Sequence, residues 1–178
     1  MTNDKVASEQ QLLVRFLAGQ REAYRQAVAG LDEEQARSVP SASALSLSVL
    51  IKHCIDGERT MINRIAGAEE AADPVAKWQA GWQLTDADTV SALLAEWDEV
   101  GRRTEQVLLA EPDLDRVVDI PANVRQWLPN DTAYTVRWLV LHSIEELSRH
   151  AGHADVIRES IDGAVGHGVK QQPGAAWG

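Results

Sequence analysis

The sequence predicts an all-α protein, a four-helix bundle with long connecting loops, and three observations carry that expectation. Four segments repeat their apolar residues at intervals of three and four, the period of an amphipathic helix. Helix-start and helix-stop residues fall where those segments begin or end. No stretch shows convincing strand alternation, and no internal repeat is visible. In a chain of 178 residues, four such helices bury their apolar faces by packing on one another.

The first helix opens at Ser8, with Gln11 three residues on completing a capping box. Leu13, Phe16, Leu17, Tyr24 and Ala27 follow at helical spacing until Gly30. LDEEQARSVP predicts one extra helical turn closed by Pro40. The second long helix is expected from near Ser43 to about Gly67, with Leu45, Val49, Leu50, Met61 and Ile65 as its stripe. His53, Asp56, Gly57 and Thr60 lie along one side of it. Gly57, one turn after His53, leaves room beside the imidazole or serves close helix packing.

Residues 68–84 carry Pro74, Trp78 and Trp82 and read as a long connection with a short helical turn. The third helix is expected to open at Thr85 or Asp86, its early acids complementing the helix dipole. Val90, Leu93, Leu94, Trp97, Val100 and Val107 give its stripe up to Glu111-Pro112. Residues 112–134, with turn signals at Pro121, Pro129-Asn130 and Asp131-Thr132, form a second long connection. The fourth helix runs from Val136 to the Asp162-Gly163 stop. Residues 1–163 are thus expected to be one domain, and 164–178 a flexible glycine-rich tail.

Composition narrows the function. A formal net charge of −10 argues against nucleic acid and anionic membrane surfaces as partners. No apolar run approaches a membrane span, and the polar opening MTNDKVASEQ is no signal segment. The single cysteine, Cys54, excludes an internal disulfide and suits a reducing, cytoplasmic setting. It also excludes a cysteine-rich structural zinc site. Six tryptophans against one phenylalanine is an odd bias, since tryptophan lines pockets and interfaces. A homodimer and a monomer both accommodate them.

The fourth helix carries the chemistry. At 100° per residue, Leu139, His142, Glu146, His150, His153 and Ile157 share a narrow face. Such groups are rarely buried without partners. Glu146 and His150 are one turn apart and can reach a common point. If the second helix turns inward too, His53 joins them. Two histidines and a carboxylate suit zinc, nickel or ferrous iron with open positions for water or substrate. The bland alternatives are a surface ion pair for Glu146 with His150 and a packed core histidine for His53. His142 and His153 compete as further ligands, bases or outer-shell partners. His167 lies in the tail and has no assigned role. Cys54, turned about 100° from His53, packs as a small apolar residue.

GLDEEQARSVPSASALSLSVLIKHCIDGE resembles the first half of the DinB-like metal-binding helical bundles. In these an acidic "EEQ" turn, a proline and an "SL…L..H….E" helix recur, the histidine being the first ligand. VRWLVLHSIEELSRHAGHADVIRESIDGAVG resembles more closely the actinobacterial mycothiol S-transferase-like branch. The two blocks cover about a third of the chain.

The resemblance implies a metal site of His53, Glu146 and His150, with Glu146 at a position where many members of the superfamily carry histidine. That departure is shared with the mycothiol-dependent maleylpyruvate isomerases. His153 stands where many members carry glutamine. The implied activity is a divalent-metal-dependent S-transferase, with zinc first and nickel or iron as alternatives. A small-molecule thiol, mycothiol, would attack an electrophilic small molecule, with His153 or His142 moving a proton and loop tryptophans covering the acceptor. The rival readings are a non-catalytic metal- or ligand-binding stress protein and a metal-dependent hydrolase.

Overall fold

The computed structural model describes residues 7–68, 72–126, 128 and 133–165, and the backbone of 169–170. The calls on Pro129-Asn130, Asp131-Thr132, His167 and the end of the tail lie outside these residues. The order of elements is α1 Glu9–Val28, α2 Glu33–Arg37, α3 Leu47–Ile65, α4 Pro74–Ala80, α5 Val90–Ala110, α6 Ala122–Arg125, α7 Val136–Asp162, β1 Ala164–Val165 and β2 Val169–Lys170. The four long helices are α1, α3, α5 and α7. Each of α1 and α3 packs on both α5 and α7, so α1 and α3 face one another across a diagonal. The links from α1 to α3 and from α5 to α7 therefore cross the bundle, and only α3 and α5 are joined neighbours. The chain lengths of 112–134 and of the α2 segment follow from that geometry.

Local chemistry sets most of the ends. Ser8 accepts from the Gln11 amide while the Gln11 side chain accepts from Ser8, and Asp32 with Gln35 repeats the device at α2. Thr135 caps α7, and Gly163 closes it at φ 75°, a left-handed conformation that suits glycine.

Two predicted starts move inward. The α3 helix begins at Leu47, because Ser46 rather than Ser43 caps it, its hydroxyl accepting from the Val49 amide. The α5 helix begins at Val90. The Asp88 carboxylate instead holds the Thr85 amide and hydroxyl in a turn, at 2.6 and 2.8 Å. No acid lies in the first turn of α5; the anion at its N-terminus is Glu33 of α2, which accepts from the Val90 amide at 2.9 Å. At the start of the C-terminal segment β1 and β2 pair antiparallel and Ala164 is buried.

The core is continuous among the four helices, with Leu17, Leu50, Ile51, Ile62, Leu93, Trp97, Leu108 and Ile157 fully buried. Besides Leu139, the buried residues of α7 are Val136, Val140, Ser143, Leu147, Ala154 and Ile157, spaced by four and three with one gap. That gap is filled by position 150 (a histidine).

Gly57 is exposed, and a Cβ built there meets nothing within 4 Å. Close helix packing is therefore not its reason. Gly57→Ala is expected to stabilise the protein by roughly 0.5–1 kcal/mol through helix propensity alone. A thermal melt that shows a loss instead would mean that something occupies that space.

Candidate metal and substrate site

His53 on α3 and His150 on α7 meet across the α3–α7 interface, their rings edge to face with centroids 5.1 Å apart. Glu146 lies one turn before His150, its carboxylate 3.7 Å from His150 Nε2. His153 lies on the other side, its Nδ1 3.4 Å from His150 Nδ1. Two ligands about 2.1 Å from a tetrahedral metal stand about 3.4 Å apart, so both pairs have near-ligand spacing. Among the described residues, however, no three His, Cys, Asp or Glu side chains converge into a complete ligand set. The donors fit a divalent metal in chemical type, but the two pairs use opposite nitrogens of His150, so closing three of them on one ion requires side chains to turn.

His142 is placed differently. Its ring stacks on Trp138 at 4.9 Å and 22°, and its Nδ1 faces Glu145 at 3.6 Å. Neither partner belongs to the His53–His150 cluster.

The electrostatics favour neutral imidazoles. Burial, aided by the His150 nearby, pushes His53 down to about 4. Burial also lowers His150; His153 and Arg149 act in the same direction and Glu146 opposes them. A neutral imidazole with a free lone pair is the form that binds metal.

In metal-free protein the His53 shift has a stability consequence. Unfolded His53 takes up a proton near 6.5, whereas the folded residue resists until about 4. Stability thus falls as pH drops from 6.5 towards 4, by about 1–2 kcal/mol once solvent screening of this half-buried group is allowed for. Urea titrations at pH 7 and pH 4.5 should show a shallower pH slope in His53→Gln; equal slopes would contradict the assignment.

One wall of the site is a loop tryptophan that the sequence did not pair with any particular side chain. Trp82 stacks on His53 at 3.7 Å and 21° and meets His150 at 6.0 Å. Its segment is fixed by tertiary contacts. Lys52 donates to the Gln83 carbonyl and to Asp88, each at 2.8 Å, and Arg37 donates to the carbonyls of Thr85 and Asp88. Burial would raise the Asp88 carboxyl, but Lys52 and the two Thr85 donors hold it down to about 2. Gly81 lies directly against Asp56, whose Oδ2 is 3.0 Å from where a Cβ would stand. Nothing local in the sequence pairs Trp82 with His53; only the return of the chain from α4 onto α3 does.

Unassigned from the sequence is Glu58, buried on α3 one turn beyond Cys54. It accepts from Arg21 at 2.6 Å, Thr104 Oγ1 at 2.7 Å and Trp97 Nε1 at 2.8 Å. The available signal was its place on the inward stripe between Ile55 and Met61, where a carboxylate needs partners. Cys54 behaves as expected. It is buried, its thiol is pushed up to about 12 mainly by burial, and it donates to Tyr24 Oη.

Four packed helices with a half-buried histidine–carboxylate cluster between two of them define an α-helical bundle. The sequence profile of the mycothiol S-transferase family matches residues 12–163, and the chain belongs to that family. A crystal structure of a conserved protein from Enterococcus faecalis has the same fold, with a TM-score of 0.70 over 89% of this chain and 99% of that one. At 16% identity the likeness concerns the fold alone. No curated protein matches the chain significantly. Among the described residues no helix is long and apolar enough to cross a membrane.

Proposed function

We propose that the protein is a divalent-metal-dependent S-transferase joining a low-molecular-weight thiol, mycothiol, to an electrophilic small molecule. The observation that carries this reading is the His53–His150–Glu146 cluster across the α3–α7 interface, in a chain of the mycothiol S-transferase family. His53, Glu146 and His150 would hold one metal, zinc by ligand preference, with nickel or iron as alternatives. When bound, the metal supplies Lewis acidity that keeps the thiol substrate deprotonated at neutral pH.

The chain's own residues account for the rest. Glu146 offsets metal charge and steadies His150. If His150 presents Nε2 on the Glu146 side, its Nδ1–H needs an acceptor, and His153 Nδ1 supplies one at 3.4 Å. His153 is exposed, so it can pass the thiol's proton on towards water. As the sulfur–carbon bond forms, the electron pair displaced at the acceptor carbon leaves with a leaving group or takes up that proton. His142, held on Trp138, is a less direct proton carrier. A reducing cytosol, where thiols persist as such, suits this reaction.

Metal content of untagged protein and thiol conjugation should be measured together. About one metal per chain, lost in Glu146→Gln and His53→Ala, with conjugation of mycothiol to 1-chloro-2,4-dinitrobenzene, is expected. Metal-dependent ester or amide cleavage without thiol would replace this reading with a hydrolase. Binding of metal and thiol without turnover of any electrophile would replace it with a binding protein.

A further inference from the structure

The α4 helix buries none of its residues, although it stands beside the His53–His150 cluster. Along it Val75, Trp78 and Trp82 follow at i, i+3 and i+7, one side of a helix continued into its C-terminal turn. Val75 is 41% and Trp78 59% exposed. Trp78 meets Trp82 edge to face at 6.1 Å, and Trp82 in turn stacks on His53. An apolar, aromatic strip therefore runs from solvent to the first proposed metal ligand. Large exposed aromatics cost hydrophobic free energy unless something covers them. The Lys52 bond to the Gln83 carbonyl and the close approach of Gly81 to Asp56 place this segment next to His53.

Trp82 adds a second sign of an absent partner. Its indole Nε1 is buried and has no hydrogen-bond partner among the described residues, a state that native structures seldom leave uncompensated.

We infer that Trp78 and Trp82 form the acceptor subsite, and that it takes planar, conjugated or aromatic electrophiles rather than aliphatic ones. The inference rests on the S-transferase reading for the word acceptor, but the binding surface stands on Trp78, Trp82 and His53 alone. A flat apolar partner stacks on an exposed indole face such as that of Trp78. Trp82, already against His53, sets the inner end; Trp78 selects for flatness at the outer end.

The test is calorimetric binding of 1-naphthol and of cyclohexylmethanol, neither of which reacts, to zinc-loaded full-length protein. Naphthol should bind wild type about 5- to 10-fold more tightly than cyclohexylmethanol, and Trp78→Ala should erase that preference. Trp78→Phe should restore most of it. Because Trp78 is exposed, neither substitution should disturb the fold or the zinc content, which is checked on the same samples. Equal naphthol affinity in wild type and Trp78→Ala, or no preference for naphthol in wild type, overturns the subsite even if thiol transfer is found. Naphthol binding that depends on Trp78 in a protein that conjugates nothing leaves the subsite standing and removes the transferase.

Discussion

Glu58→Ala will destabilise the protein by about 3–5 kcal/mol, the cost of leaving a buried charge without its partner. The Glu58 carboxylate is the acceptor for Arg21, Trp97 and Thr104 at once, and its side chain is wholly buried. Truncation strands the Arg21 guanidinium in the bundle, where it lies so close to Gly101 that a Cβ there would come within 3.0 Å of Arg21 Nε. It also orphans the indole N–H of the fully buried Trp97; Thr104 keeps a bond to the Val100 carbonyl. For a domain of this size the melting point should fall by about 10 °C or more. Glu58→Gln keeps the shape and an acceptor oxygen for Arg21 and Thr104, so its loss should be smaller; its difference from wild type reports the charge, and its difference from Glu58→Ala reports the lost side chain and acceptor. A urea midpoint for Glu58→Ala within error of wild type would show that water reaches Arg21 freely.

The largest functional effect is expected at His150. His150→Ala should weaken metal binding by at least about 100-fold, beyond the usual cost of losing an outer-shell partner, and abolish thiol conjugation. His150 is the side chain that meets His53, Glu146 and His153, so no other single change touches as much of the cluster. Replacing His142, whose contacts run to Trp138 and Glu145, should leave metal content unchanged. Competition of each variant against a chromogenic zinc chelator gives the affinities directly. Comparable losses at positions 142 and 150 would move the centre towards the N-terminal turns of α7.

His153 separates two roles. As the acceptor for His150 Nδ1–H it should be replaceable by glutamine or asparagine with modest loss of metal affinity, since either amide carbonyl can accept the same hydrogen bond, while conjugation loses its proton carrier. As a metal ligand it would not be, and the spectrum of the cobalt-substituted protein would change coordination in His153→Gln.

The capping residues made much of the fold legible. Ser8 with Gln11, Asp32 with Gln35, and Gly163 act within a few residues of themselves, and local chemistry can be read locally. The apolar periods of α1, α3, α5 and α7 placed four helices for the same reason. The start of α5 was misplaced because Asp88 satisfies Thr85 rather than a helix end, and because the acid at its N-terminus comes from α2. Serine at 43 and at 46 are equivalent by type; packing of Leu47 into the core decides for the later one.

The sequence by itself determined the helical class, the number of long helices, and the stripe of α7 that carries Glu146, His150 and His153, because all of these follow from a period along one chain. Only the tertiary structure decided that α1 and α3 are diagonal, that His53 faces His150, that Trp82 stacks on His53, and that Glu58 gathers Arg21, Trp97 and Thr104. Those pairings join groups on separate elements. Their cause is the burial of four apolar faces against each other, which fixes relative rotation and height of the helices only once all four are in place.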